Sequence, residues 1–420
     1  MRAVLSVVLI VSTAAVSPTQ AAPFQVPEAP GVLVSGDFDA DGIDDVIVFG
    51  VIAQSRTYFG RRKAPHLVRG PSWPFHQLWS LMDVPLFVGG YLYVPVTTIA
   101  AAMCEMRVYH LVKGRWTHKA TMLISSRSPA TKINSLKIHA LHMDIDGDRQ
   151  PDVLAAWGDA PHTQGNGIQV SYFTPTGARP AANIPPLSGQ STDSVVVDIH
   201  RTRSLIKPKT PEYILTLSAQ KKNVLGGFGF VTVVDGPKGS KGVWANNGPP
   251  LAYSKFIHLD SPVSYGDFNI LPMVKTPLVQ LMTSESLLFM PWPSAPYVTN
   301  RGQVLPTDPQ STSLDQCVAD FDGDGRDEVV LVSSSGVNHL SYLHVADPSS
   351  NRAYAQFFYL GSGNVAPSVF HGTTGDFDGD GDKDLLLTFY YGGRSRNGFF
   401  GLFIADRSAG KGKPALRRLY

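Results

Sequence analysis

Four times the chain writes Asp-x-Asp-x-Asp, places a further acidic side chain at the ninth position, and runs straight into an apolar stretch. The acidic positions are Asp37, Asp39, Asp41 and Asp45; Asp144, Asp146, Asp148 and Asp152; Asp320, Asp322, Asp324 and Glu328; and Asp376, Asp378, Asp380 and Asp384. Carboxylates this dense repel one another in water, and a hard, oxygen-seeking cation makes their convergence favourable. Calcium meets that demand. A tight loop turns the side chains at positions 1, 3, 5 and 9 inward, while position 7 can add its backbone carbonyl, with oxygens at roughly 2.3 to 2.6 Å. The expectation is a set of about four calcium ions, one per loop. Gly42, Gly325 and Gly381 stand at the sixth position, where the chain must bend sharply. The second loop has Arg149 there instead, a residue strained in a left-handed conformation.

The residues after each loop decide what kind of unit it belongs to. Helix-flanked calcium loops lead into an amphipathic helix, but the residues here are Val46-Ile47-Val48-Phe49, Val153-Leu154, Val329-Val330-Leu331-Val332 and Leu385-Leu386-Leu387. Such short, bounded apolar runs read as buried strands. Another short run, such as Val32-Leu33-Val34-Ser35-Gly36, precedes three of the loops, and position two is Phe38, Ile145, Phe321 or Phe377. The unit is strand, metal loop, strand.

This unit resembles the FG-GAP and VCBS repeats of integrin-alpha-like β-propellers. The likeness is carried by Gly-Asp-Phe-Asp-Ala-Asp-Gly at 36–42, Asp-Phe-Asp-Gly-Asp-Gly at 320–325 and Gly-Asp-Phe-Asp-Gly-Asp-Gly at 375–381. Phe49-Gly50, Trp157-Gly158 and Tyr391-Gly392 echo the Phe-Gly element, without a Gly-Ala-Pro partner, which is closer to the shorter VCBS-like form. The resemblance implies a β-propeller and does not by itself bring integrin-type ligand binding.

Spacing supplies the blade count. The last two loops begin at 320 and 376, and the first two, at 37 and 144, lie about two such periods apart, which leaves room for a silent repeat near 90. Two eroded copies are visible in between: Val195 to His200 leading to Tyr213-Ile214-Leu215, and Tyr265 to Asn269 leading to Leu278 to Leu281. The series 37, near 90, 144, 198, 267, 320 and 376 predicts an all-β fold, a seven-bladed propeller of four-stranded blades. Blades one, three, six and seven should hold calcium. Blades two, four and five should not, since His200 and Arg203 follow Asp198, and Leu271 and Pro272 follow Asp267 and Asn269.

Composition agrees, with 39 Gly and 32 Pro and no amphipathic helical stretch, and one ring absorbs residues 22–420 as a single domain. The Gly- and Lys-rich piece Gly236 to Gly242 is the expected tip of a longer surface loop. Met1-Arg2, the apolar stretch Ala3 to Val16 and Thr19-Gln20-Ala21 together read as a secretory signal over residues 1–21, cleaved near Ala21. That signal implies a secreted or periplasmic location, and no later stretch is apolar enough to cross a membrane as a helix. The two cysteines, Cys104 and Cys317, admit either a bond spanning the ring or two buried thiols. Asn-x-Ser/Thr sequons are absent.

More than half of the 34 acidic residues lie in the four loops, against 36 Lys and Arg in the whole chain, so the loaded protein would be cationic despite a formal charge of +2. Candidate patches are Arg61-Arg62-Lys63, Arg201 to Lys209, Lys221-Lys222, Lys238 to Lys241 and Lys411 to Arg418. A cationic exported propeller suits a binding or adhesion role toward a glycan or an anionic surface. Nucleic acid is a poor partner for such a chain. Trp73, Trp79, Trp244 and Trp292 could stack on sugars or fill blade cores. No Gly-x-Ser-x-Gly elbow, Walker loop or His-Glu-x-x-His helix is present. The alternative is a polysaccharide lyase or hydrolase drawing on His139, His142, His371, Tyr390, Tyr391 and Arg394.

Overall fold

The structure is a computed structural model. It describes residues 24–26, 31–50, 55–73, 79–98, 103–124, 132–140, 148–160, 168–184, 193–203, 211–221, 224–234, 243–246, 263–266, 278–282, 287–291, 299–300, 311–323, 328–335, 340–346, 356–361, 367–391, 398–405 and 416–419. The expected leader 1–21 and the Gly236 to Gly242 tip lie outside these residues.

The described strands are all β and pair antiparallel into seven sheets. After a short β1 (Phe24–Val26), the first sheet takes β2 (Val32–Gly36), β3 (Asp45–Phe49), β4 (Arg56–Gly60) and β5 (Leu67–Ser72). The second holds β6 (Trp79–Leu81), β7 (Leu86–Val88), β8 (Tyr91–Thr98), β9 (Met103–Val112) and β10 (Arg115–Leu123). The third is β11 (Lys132–Ala140), β12 (Val153–Ala160), β13 (Ile168–Phe173) and β14 (Ala178–Ile184). The fourth is β15 (Asp193–Arg203), β16 (Pro211–Lys221), β17 (Val224–Val234) and β18 (Val243–Asn246). The fifth is β19 (Val263–Gly266), β20 (Leu278–Met282), β21 (Leu287–Pro291) and β22 (Thr299–Asn300). The sixth is β23 (Ser311–Ala319), β24 (Glu328–Ser335), β25 (Leu340–Ala346) and β26 (Gln356–Gly361). The seventh is β27 (Pro367–Gly375), β28 (Asp384–Tyr391), β29 (Gly398–Ala405) and β30 (Leu416–Arg418).

Each sheet is a meander, the arrangement of a propeller blade. The first strand of each sheet neighbours the first strand of the next: β27 lies beside β2 and β23, β2 beside β7, β7 beside β11, β11 beside β15, and β19 beside β15 and β23. Four consecutive sheets, the seventh, first, second and third, are described with their packed side chains, and the inner edge of the sixth packs on the seventh. At the level of packed side chains the blades number four, against the seven read from spacing.

The second strand of a blade shows why its sequence is apolar throughout. Along β3 every residue is buried. Val46 and Val48 face a core shared with the seventh blade, with Leu386, Phe400 and Leu402. Ile47 and Phe49 face the second blade, with Leu92, Val94 and Trp116. A strand covered on both faces gains apolar burial at every position, about 1.5 to 3 kcal/mol for each large side chain. Leu385 and Leu387 likewise face the sixth blade while Leu386 faces the first.

Two blades depart from the plain meander. In the seventh, β29 carries two short outer partners, β1 against Gly398–Phe400 and β30 against Phe403–Ala405, so strands from opposite ends of the chain complete one blade. In the second, the inner strand is split into β6 and β7, both paired with β8. Asp83 sits in that break, accepting from Lys137 Nζ at 2.9 Å and Ile138 N at 2.8 Å, which ties the second blade to the third. The silent repeat near 90 is the turn Gly89-Gly90 joining β7 to β8, with φ of 58° and 80°. Two consecutive positive φ values make this a type I′ hairpin turn, which glycine reaches without strain.

The register corrects one assignment. Asp198 lies inside β15, opposite Thr216, rather than opening a loop, and the strand runs on to Arg203. Asp267 directly follows β19 and lies outside the described residues. Trp73 takes the core reading of the two: it is 3 % exposed and packs edge-on to Tyr109 and Trp116 between the first two blades, so no sugar can stack on it. The side chains of Trp79, Trp244 and Trp292 lie outside the described residues. Cys104 belongs to the core between blades two and three and Cys317 borders that between six and seven, so the two do not pair.

Candidate metal centre

Each acidic loop joins the first and second strands of its blade, β2 to β3, β11 to β12, β23 to β24 and β27 to β28. The loop is shaped before any cation is considered. Asp37 accepts from Asp41 N and Gly42 N, both at 3.0 Å, and Asp376 accepts from Gly379 N at 2.7 Å and Gly381 N at 3.0 Å. Asp320 accepts from Gly323 N at 2.6 Å. These bonds curl the chain around the first carboxylate through two left-handed positions. The sixth position has φ of 84° at Gly42, 93° at Gly381 and 70° at Arg149, so the strain expected at Arg149 is present. The fourth is also left-handed, at Ala40 (61°), Gly323 (71°) and Gly379 (75°). Sequence reasoning overlooked that second bend, although Gly323 and Gly379 signalled it.

The ninth residue opens the following strand and anchors the loop. Asp45 Oδ2 accepts from Phe38 N at 2.8 Å, Glu328 Oε2 from Phe321 N at 2.7 Å, and Asp384 Oδ2 from Phe377 N at 2.9 Å. The other oxygen of Asp45 accepts from Gly60 N and that of Asp384 from Ala405 N, each at 2.9 Å, at the end of the third strand. The bond to position two fixes the Phe that fills the seam with the next blade. Phe38 lies in the core shared with the second blade, Phe321 with the seventh and Phe377 with the first. Loop closure and blade packing are thereby one event.

Burial raises all three ninth-position carboxyls, Asp45 and Asp384 to about 7 and Glu328 to about 8. Backbone donors oppose the rise in each; Asp322 raises Glu328 further and Asp378 raises Asp384. Asp39 is raised by burial and then by Asp41, and Asp378 by burial and then by Asp380. These carboxyls are raised first by burial and then by one another, so a cation ligated among them would favour their charged forms.

Three triplets converge so that one oxygen from each member lies within 4.8 Å of the others: Asp37, Asp39 and Asp41; Asp320, Asp322 and Glu328; Asp376, Asp378 and Asp384. An all-oxygen, all-carboxylate donor set fits a hard divalent cation. The triplets differ from the expected set of four. Asp45 stays outside the first and Asp380 outside the last, although the backbone bonds they accept have counterparts at Asp384 and Asp41, which do join their triplets. Asp144, Asp146, Asp324 and Gly325 lie outside the described residues; in the second loop Asp148 accepts from Gln150 N at 2.7 Å and Asp152 is fully buried.

The first and last loops also touch each other. Asp44 Oδ2 accepts from Asp376 N at 2.8 Å and pairs with Lys383 Nζ at 3.0 Å, while Asp44 N donates to Asp376 O at 2.8 Å. No local pattern signals this contact, since its partners stand more than three hundred residues apart. Of the residues weighed for catalysis, His371 uses Nδ1 to accept from Leu33 N at 3.2 Å across the same seam. His139 is half-buried on β11, and the side chains of His142, Tyr390, Tyr391 and Arg394 lie outside the described residues.

Comparison with known proteins bears on the repeat and the fold. Residues 320–387, covering the sixth-blade loop through the start of the seventh blade, match the FG-GAP-like repeat family. No curated protein matches the chain. Among solved structures, BBS1N in complex with ARL6DN, soaked with mercury, is 11% identical over 92% of this chain and 96% of that one, with a TM-score of 0.51. The lead-soaked crystal of the same complex gives 0.50 at the same identity and coverage. The Dos1 propeller is 11% identical over 90% of this chain and 94% of that one, with a TM-score of 0.43. At these identities the likeness is one of fold.

Proposed function

We propose, for this β-propeller with an FG-GAP-like repeat at 320–387, that it is an exported, seven-bladed binding or adhesion module, stabilised by calcium and directed at a carbohydrate or an anionic surface. The observation that carries the reading is the coupling within each loop. The carboxylates that would hold calcium include or adjoin the ninth-position group whose bond to position two sets a Phe between blades. A cation gathered there stabilises the loop, the hairpin and the seam together, and binding energy becomes folding energy. The seven sheets and the closed order of their first strands support the blade number. That β1 starts at Phe24, just beyond the expected cleavage point, supports removal of the leader without loss of a strand.

In the loaded state Asp320, Asp322 and Glu328, and Asp376, Asp378 and Asp384, would ligate through side-chain oxygens, with Asp37, Asp39 and Asp41 doing so in the first loop. The metal is structural in this reading, and the ligand meets a face of the ring whose charge is basic once the loops are neutralised. The lyase alternative draws no support from His371, whose Nδ1 is engaged by backbone.

The test is thermal unfolding of residues 22–420 in calcium and in excess chelator, with bound calcium counted on the same sample. A large loss of melting temperature with about four ions bound supports the reading; each site filled to a hundred times its Kd adds about 2.7 kcal/mol. Equal stability with and without metal would overturn it. A screen of acidic glycans on the loaded protein then addresses the ligand.

A further inference from the structure

We infer that Arg61 is a built-in competitor for the cation of the first loop, so that this loop fills at higher calcium than the last loop and empties before it. The inference rests on the calcium reading above and assigns the order of loading. Arg61 Nη1 lies 3.0 Å from Asp41 Oδ2, and its Nη2 lies 3.6 Å from Asp39 Oδ2, so one guanidinium spans two of the three converging carboxylates.

That position is held by several contacts. Arg61 N donates to His66 O at 2.8 Å, and His66 Nδ1 lies 3.1 Å from Arg61 O, which pins the backbone at both ends of the turn between β4 and β5. Nη1 also donates to Gly60 O at 2.6 Å, and the guanidinium lies 5.3 Å from the centre of the Phe59 ring. Gly60 is the residue whose N–H holds Asp45, so the group that occupies the ninth-position carboxylate and the group that neutralises the third and fifth are chain neighbours.

The last loop repeats the first half of this arrangement and not the second. Ala405 N takes the place of Gly60 N, donating to Asp384, but the next residue in sequence is Asp406. There Asp384 itself joins the triplet, whereas in the first loop Asp41 does and Asp45 is withheld. A divalent ion entering the first loop must displace a cation from its ligands or share them with it, and like charges at such range repel. In the last loop Arg62 packs beside Gly379 and the charge of His66 acts on Asp378, but among the described ion pairs no guanidinium spans two of the converging carboxylates.

The experiment is a calcium-binding isotherm against a competing chelator for wild type, Arg61→Gln, Arg61→Lys and Lys63→Gln. Because the pair is half-exposed, Arg61→Gln should tighten one class of site about two- to five-fold. Arg61→Lys and Lys63→Gln should stay close to wild type. In an Asp37→Asn background one ion is lost and the Arg61→Gln gain disappears. An Arg61→Gln isotherm that matches wild type, a weaker one, or a gain that persists with Asp37→Asn overturns the inference while leaving calcium binding intact. A wild type that binds no calcium fails at the earlier reading and takes this inference with it.

Discussion

The second and seventh blades solve one problem in two ways. Both must join an inner strand to its neighbour and hold the seam to the adjoining blade. The seventh uses a nine-residue acidic loop, with Asp384 gripping Phe377 N and Ala405 N and Phe377 filling the seam. The second turns in two glycines, and an ionic contact from Asp83 to Lys137 and Ile138 reaches the next blade. The acidic loop is therefore a replaceable fastener, since the second blade joins its neighbours without one.

The sharpest break of that comparison is Phe377→Ala, which empties a fully buried position and should cost about 3 to 5 kcal/mol. Denaturant unfolding would show this in calcium and in chelator alike; a loss below about 1 kcal/mol would mean that the loop does not act through the seam. Next comes Asp83→Ala, which strips partners from a Lys and a backbone N–H and should cost about 1 to 3 kcal/mol. Its loss should be the same with and without calcium, since no acidic loop stands at that turn. A loss seen only in calcium would tie the second blade to the metal after all.

Acidity separates the two fasteners further. In chelator, Asp45, Asp384 and Glu328 have folded values of about 7, 7 and 8 against ordinary values of 3.8, 3.8 and 4.5. A raised folded value means that the folded state holds the proton more tightly. The stabilisation from these groups is then complete below the ordinary values and lost as pH rises through 7 to 8. Calcium competes with those protons, so its stabilising increment should grow over the same window. Melting temperatures from pH 4 to 8.5 in both conditions check the sign; a chelated protein whose stability rises steadily across that range contradicts it. The smallest effect is Arg149→Gly. Relief of a left-handed side chain at φ of 70° should add about 1 kcal/mol, seen as a modest rise in melting temperature.

Much of this organisation is legible in the sequence because it is local. The loop motif announces the strand after it, and Asp45, Glu328 and Asp384 do open β3, β24 and β28. Spacing points to a repeat near 90, and a turn lies there, but its two glycines carry no trace of the motif. The features that escape are set by distant partners. Asp198 reads like the end of an inner strand, yet pairing with Thr216 carries β15 on to Arg203. Trp73 has no local signal for burial; its neighbours Tyr109 and Trp116 come from the next blade. The motif places Asp45 among the ligands, yet in the first loop the converging set is Asp37, Asp39 and Asp41. Arg61 reads as part of an exposed basic patch until the turn between β4 and β5 sets it against Asp39 and Asp41.

The outer edge of the seventh blade has one more property. β30 and β1 run in the same direction along β29, the first ending opposite Phe403, the second beginning opposite Phe400, and Leu419 N donates to Leu402 O between them. They read as one strand with a cut in it. A short peptide from Leu419 to Phe24 would heal that cut, and new ends could then be opened at an exposed turn of another blade. The rim of that blade is thus shared by two segments far apart in sequence, and it is complete only when both have met β29.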